Sequence, residues 1–174
     1  MVQLFKKQLM VVLVLLVLTA VLDGCSKSNF KVISHLNVRL TSLPYQANEV
    51  IVDITQLQVT YDSDTTWQNL ATPRKAYNLL QFANNTDTLI ASGPVPATSI
   101  IRQLKITFGN KSTINKAGKL AALHLIPGRE SLILSVNKKM NRFTEVVTLQ
   151  FDPAASVTYN GNGYPVYFPV VTLK

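Results

Sequence analysis

The amino-acid sequence predicts an all-β domain, a single antiparallel β-sandwich of about eight strands, behind an N-terminal signal helix. Three observations predict it. Beyond residue 31, apolar residues recur with a period of two, the mark of half-buried strands. The runs are short and are separated by Asn, Asp, Gly and Pro, which punctuate sheets. No stretch beyond the N-terminal run carries a helical stripe, and Asn78 to Ala83 has room for one turn and no more. Hydrophobic residues make up 47% of the chain and charged residues 15%, which excludes a disordered polypeptide.

The N-terminus reads as an address. Lys6 and Lys7 precede an unbroken apolar run, Leu9 to Leu22, that is shorter than the roughly 20 residues of a spanning helix. A basic start and a short apolar core are the form of a secretory signal peptide. The run ends in Leu22-Asp23-Gly24-Cys25, which resembles the bacterial lipobox: an aliphatic residue, two small residues and a cysteine. Leu22, Gly24 and Cys25 match, and Asp23 departs from the usual small uncharged residue. The resemblance implies a signal peptide over 1–24, a lipidated Cys25 opening a short linker over 25–30, and a folded domain over 31–174. Cys25 is the only cysteine, so it has no disulfide partner within the chain. A single acyl chain binds membranes only marginally, and several make a stable anchor. Ser26 follows the cysteine. By resemblance to enterobacterial sorting, this implies the outer membrane, with the periplasmic face favoured over the cell surface.

The strands follow in order. Val38 and Leu40 alternate in the first, Val50, Val52 and Ile54 in the second. Leu57, Val59 and Tyr61 continue after a change of phase at Thr55-Gln56, which predicts a β-bulge or bend. Asp62-Ser63-Asp64 reads as a turn in which an Asp bonds nearby backbone, with calcium ligation the lesser alternative. Trp67 and Leu70 come next, then Tyr77 to Phe82 and a short strand from Thr88. Ile100, Leu104, Ile106 and Phe108 form the clearest apolar face, which Arg102 interrupts. Leu120 to Ile126, Leu132 to Val136 and Phe143 to Phe151 are further strands. Tyr164, Val166, Phe168 and Val170 are expected to share a face, with Pro165 and Pro169 marking an edge or a broken ladder.

Several blocks are similar to a known family: "LNVRLTSLP" and "EVIVDITQLQV", then Trp67, "YNLL" at 77–80, "VPATSIIRQLKITFG", and "LQFDPAASVTYNGNGYPVYFPVV" at 149–171. The chain resembles the bacterial lipoprotein domain catalogued as domain of unknown function 4382 over nearly all of 36–172. Phe151, Asp152, Ser156, Gly161, Gly163 and Pro169 fill the pattern of the last block. Ser42-Leu43-Pro44 stands where the family often has Asp-Ala-Pro. The resemblance implies a secreted β-sandwich of the immunoglobulin or transthyretin type, a Greek key, and carries no established activity.

The search for chemistry narrows the classes. His35 and His124 have no metal-ligand spacing, and no metal or cofactor is expected. Gly-x-Ser-x-Gly and phosphate-binding glycine loops are absent from the sequence. Asp152 and Ser156 are expected to cap the turn after a strand through their side chains. The net charge of +8 favours anionic surfaces, but no nucleic-acid motif is present and nucleic acid is not an expected partner.

Two groups of residues are candidates for ligand binding. Lys111, Lys116 and Lys119, and then Lys138, Lys139 and Arg142, lie in two basic loops. Antiparallel pairing of the intervening strands would bring these loops to one end as a cationic rim. The alternative is that they serve solubility. Tyr159 and Tyr164 flank Asn160-Gly161-Asn162-Gly163 and either stack on sugar rings or bury against each other across a hairpin. The expected role is non-catalytic: a membrane-anchored binding or assembly module for a glycan or other anionic envelope ligand. A structural subunit contacting envelope proteins through a strand edge is the alternative, and an envelope hydrolase comes third.

Overall fold

The computed structural model describes residues 32–62, 64–73, 75–141 and 143–174, and of Lys75 the backbone alone. Cys25, the signal peptide and Arg142 lie outside the described residues. Val32–Lys174 forms one compact unit.

The unit is all-β. Its strands are β1 (Ile33–Ser42), β2 (Glu49–Tyr61), β3 (Gln68–Asn69), β4 (Lys75–Asn78), β5 (Thr88–Pro96), β6 (Ile100–Phe108), β7 (Thr113–Lys116), β8 (Lys119–Ala122), β9 (His124–Leu125), β10 (Ser131–Lys139), β11 (Thr144–Phe151), β12 (Val157–Tyr159), β13 (Pro165–Tyr167) and β14 (Val171–Leu173). A single 3-10 turn, Leu79–Phe82, and one helical turn, α1 (Pro153–Ser156), interrupt them. The first sheet runs β14-β11-β1-β5, the second β10-β6-β2-β7-β8 with β3 and β4 also on β2, and the third β12-β13-β9. The described strands outnumber the eight expected, because turns and bulges cut long apolar runs into pieces.

Two pairings are parallel, which corrects the purely antiparallel expectation. β1 pairs β11 in parallel from His35↔Thr144 to Ser42↔Phe151, and β13 pairs β9 in parallel. A parallel pair needs a long crossover. The whole of the second sheet lies between β1 and β11 in sequence and supplies it. Alternation reports which face a strand buries but not the direction of its neighbour.

The two larger sheets share one core. Leu36, Val38 and Leu40 of β1 and Leu149 and Phe151 of β11 meet Val52, Ile54, Leu57, Val59, Leu104 and Ile106 of the second sheet, all fully or nearly fully buried. Phe108 stands edge-on to Phe151 at 6.5 Å and to Tyr167 at 5.9 Å, tying together all three sheets.

β2 is the long member, and β6 and β7 pair the same edge of it in succession. The break between them is stitched by Asp53. Gly109 donates its N–H to the Asp53 carbonyl at 2.9 Å, Lys111 donates its N–H to Asp53 Oδ2 at 3.2 Å, and the Asp53 N–H reaches Ser112 Oγ at 3.1 Å. The register of β2 against β6 shifts between Ile54 and Gln56, so Thr55 is the extra residue, where the phase change predicts a bulge.

Two phases differ from the sequence reading. On β6 the buried residue near the start is Ile101, with Arg102 and Gln103 both exposed, because a second register shift falls there. Adjacent isoleucines at 100 and 101 fit either phase. In the C-terminal segment the buried set is Pro165, Tyr167, Pro169 and Val171, the alternate set to Tyr164, Val166, Phe168 and Val170. Both faces of this segment are apolar, and the proline rings fill the core side. The ladder does break here, between β13 and β14.

Candidate functional site

A candidate site lies at the Glu49 end of β2. The β7–β8 hairpin pairs Glu49 through Asn115 and turns at Ala117-Gly118. Both turn residues have positive φ, 53° and 77°, the geometry of a two-residue type I′ hairpin turn. Lys116 and Lys119 are therefore directly opposed across the last rung. Like charges so placed repel each other. Among the described residues, no carboxylate forms an ion pair with either lysine.

Asn48 fixes this hairpin to the chain that follows β1. Its N–H donates to the Asn115 carbonyl at 2.8 Å, and its side-chain oxygen accepts from the Gly118 N–H at 3.4 Å. The same connection carries Tyr45, half-buried, in a tight turn closed by the Ala47 N–H on the Tyr45 carbonyl at 3.0 Å. The Lys116 ammonium lies 5.7 Å from the Tyr45 ring and 5.8 Å from the Tyr159 ring, inside the cation–π range. Pro44, Tyr45, Gln46, Lys116 and Ala154 line a groove of about 530 Å³.

Tyr159 reaches this place because α1 redirects the chain after β11. Asp152 is the N-cap, its carboxylate accepting from the Ala155 N–H at 3.0 Å. Ser156 Oγ donates to the Asp152 carbonyl at 2.6 Å and accepts from the Val170 N–H at 2.9 Å. Asp152 thus caps a local backbone N–H as the sequence predicts, whereas the N–H that Ser156 accepts from is the distant one of Val170. β12 then pairs β13, and Asn160 closes the turn by accepting from the Asn162 and Tyr164 N–H groups. Tyr159 is 49% and Tyr164 65% exposed, so the two rings do not bury each other across the hairpin. Neither tyrosine lines the groove itself; Tyr159 flanks it through its contact with Lys116.

The expected single cationic rim does not form. Lys138 pairs Ile101, which in turn pairs Tyr61 at the far end of β2, while Lys116 lies beside the Glu49 end. Twelve residue steps separate these ends, roughly 40 Å at strand spacing. The cause is the pairing: β8 folds back on β7 and β10 pairs β6, so 120–126 and 132–136 are not the two arms of one hairpin. Lys138 is also neutralised by Glu145 at 3.1 Å. Lys139 follows it at the same end, and Lys111 sits in the break between β6 and β7 with an exposed side chain. Of the predicted residues the structure thus gathers Lys116, Lys119 and Tyr159. Sequence reasoning misses Tyr45, whose one signal is its place between Pro44 and the second strand.

The described carboxyls with shifted acidity, Asp64, Asp87 and Glu130, are all held below the usual carboxylate range. Backbone N–H donation does this for Asp64 and Glu130, and the Arg39 guanidinium does it for Asp87. They are suited to staying ionised rather than to delivering a proton. Asp64 Oδ1 accepts from the Thr66 N–H at 2.8 Å, the backbone-bonded turn read from the sequence. Among the described residues, no three of His, Cys, Asp and Glu cluster as a metal site would require.

The family described as Domain of unknown function (DUF4382) matches residues 34–167. No curated protein and no solved structure matches the chain.

Proposed function

We propose that this chain, which belongs to the DUF4382 family, is a non-catalytic binding module of the bacterial cell envelope. In this reading it is anchored through a lipidated Cys25 at the outer membrane and takes an anionic glycan in the groove lined by Tyr45 and Lys116 and flanked by Tyr159. The observation that carries the reading is the placement of Lys116 between two tyrosine rings and directly opposite Lys119. Two opposed ammonium groups without a carboxylate partner favour an incoming anion. A uronic acid carboxylate meets both lysines, while the flat C–H face of its ring lies against Tyr45 or the half-exposed Tyr159. The groove is open, as the binding of one stretch of a polymer requires.

The test uses the full chain in detergent micelles and polygalacturonate as the probe. Binding is expected at low salt and should weaken steeply as salt is raised. Lys116→Ser should weaken it about tenfold or more, the loss of about 1.4 kcal/mol, and Lys138→Ser should leave it unchanged. Absence of binding, or equal binding by wild type and Lys116→Ser, overturns the reading. The anchor is tested separately by the mass of the N-terminal peptide from native membranes. A diacylglyceryl-modified Cys25 as first residue is expected, and a free thiol overturns the anchor.

A second reading is an assembly role through β10. This strand is an edge of the second sheet, and Ile133 is 52% exposed on it. Unpaired edges recruit strands from other chains. Crosslinking from position 133 to a defined envelope protein would favour it.

A further inference from the structure

We propose that the opposite end of the second sheet carries a second binding site, built for a neutral, hydroxyl-rich sugar, at Trp67, Arg102 and Gln103. The register creates its floor. Thr60 of β2 pairs Gln103 of β6, and Gln103 pairs Ser135 of β10, so three polar side chains form a row across three neighbouring strands. The inward residues beside them, Val59 and Leu104, are fully buried, which places the row on the outward face, with Gln103 and Ser135 exposed and Thr60 covered at 4% exposure.

Just beyond this row the regular ladder fails on both sides of β6. Between the pairs Thr60↔Gln103 and Tyr61↔Ile101, Arg102 is an extra residue with no counterpart on β2. Between Ser135↔Gln103 and Lys138↔Ile101, β10 carries Val136 and Asn137 against Arg102 alone. Asn137 has φ 51°, and Asp62, where β2 ends, has φ 55°. Strict alternation from Leu104 would send Arg102 into the core. The bulge turns it outward beside Gln103 instead, which removes the cost of a buried guanidinium and adds a fork of donors to the polar row.

The surrounding groups hold that fork in place. Arg102 donates through Nε to the Asp62 carbonyl at 3.3 Å and through a terminal nitrogen to Asn137 Oδ1 at 3.4 Å. Asp62 Oδ1 accepts from the Ile100 N–H at 2.8 Å. Asp64, Thr65 and Trp67 complete a concavity of about 350 Å³, at the small end of ligand pockets. The Lys105 ammonium stands 4.6 Å over the Trp67 ring and braces it.

The lining selects the ligand class. Arg102 and the Lys105 ammonium over Trp67 are balanced by the Asp62 and Asp64 carboxylates, which leaves no excess positive charge for a phosphate or uronate. Few apolar side chains line it, so a lipid finds little to bury against. Arg, Asn, Gln and Asp each offer two polar atoms in a plane, the spacing that adjacent hydroxyls of a sugar ring match. The indole offers a flat apolar surface for the opposite face of the ring. The site is independent of the groove at the other end, and the two would let one domain hold two points of a glycan network.

The chain contains one tryptophan, so its fluorescence reports this site directly. The full chain, in micelles of a detergent without a sugar headgroup, is titrated with mannohexaose, maltohexaose and chitotetraose. A saturable change in emission with at least one of them is expected. Raising salt to about 0.5 M should leave it nearly unchanged, since no net charge is neutralised. Arg102→Ala and Gln103→Ala should each weaken binding about tenfold or more. Lys116→Ser should have no effect, which separates this site from the groove. Gln103 is exposed, so its variant is expected to fold even if Arg102→Ala does not. A flat titration with all three sugars, or Gln103→Ala binding as wild type does, overturns the proposal.

Discussion

Replacing Ser156 with alanine removes one oxygen atom from a side chain with no solvent exposure. That oxygen makes two hydrogen bonds, donating to the Asp152 carbonyl at 2.6 Å and accepting from the Val170 N–H at 2.9 Å. The Asp152 carbonyl keeps a partner in the variant, because the Ser156 N–H also donates to it at 3.0 Å. The Val170 N–H is half-buried and loses its acceptor. A net hydrogen bond is worth about 1 kcal/mol and an unsatisfied donor costs about 1–3 kcal/mol, so the variant should be about 2 kcal/mol less stable. Urea unfolding of the full chain in micelles measures this. With a slope of about 2 kcal/mol/M, the midpoint should fall by about 1 M with the slope unchanged. Hydrogen exchange supplies the second readout. The Val170 amide should lose protection more than the Phe168 amide, which bonds the Ser156 backbone carbonyl and keeps it. An unchanged midpoint, or equal loss at both amides, would refute the assignment of Ser156 as the acceptor that closes the C-terminal strands. Because α1 leads directly into β12, the same variant should loosen the presentation of Tyr159.

Two other substitutions probe the core. The buried Tyr167 hydroxyl has no hydrogen-bond partner among the described residues, and its ring stands edge-on to Phe108, a contact phenylalanine keeps. Tyr167→Phe should therefore raise stability by about 1 kcal/mol, seen as a higher melting temperature. Burial also raises the Tyr167 pKa above its ordinary value. The folded state thus holds this proton more tightly than the unfolded state, and the contribution to stability is present below about pH 10 and lost as pH rises beyond it. Melting temperatures near neutrality and in strong alkali should diverge less in Tyr167→Phe than in wild type. At Gly109 an added Cβ would overlap Asp53 Oδ2 and press on Thr55 Cγ2. Gly109→Ala should cost about 3 kcal/mol in urea unfolding, and adding Asp53→Ala should recover part of it, whereas additive losses would show that the two residues do not clash.

Much of the fold is legible in the sequence because period-two alternation is a direct image of burial. Val50, Val52 and Ile54 followed by Leu57 and Val59 disclose both the strand and the bulge at Thr55. Asp152 and Ser156 disclose their turn because short polar side chains beside Pro153 have local backbone to bond. Alternation fails where both phases are apolar, at Ile100-Ile101 and in Pro165 to Val171. It is silent on partnership, so neither the parallel β1–β11 pair nor the separation of Lys116 from Lys138 can be read from it. Lys116, Lys119 and Tyr159 are visible as residue types, but their meeting with Tyr45 depends on Asn48 bonding the β7–β8 hairpin, a contact across 70 residues. Arg102 is noticeable as a charge on an apolar face. What the bulge does with it depends on the strands on either side.

The most direct measurement is a titration of the full chain in micelles with oligogalacturonate, followed by NMR of selectively labelled tyrosine and lysine side chains. The account predicts that Tyr45, Tyr159 and Lys116 shift together with one saturating curve, while Tyr61 and Lys138 at the other end of β2 stay in place. Shifts confined to Lys138 and Lys139, or none at Tyr45, Tyr159 and Lys116 when binding is saturated, would contradict it.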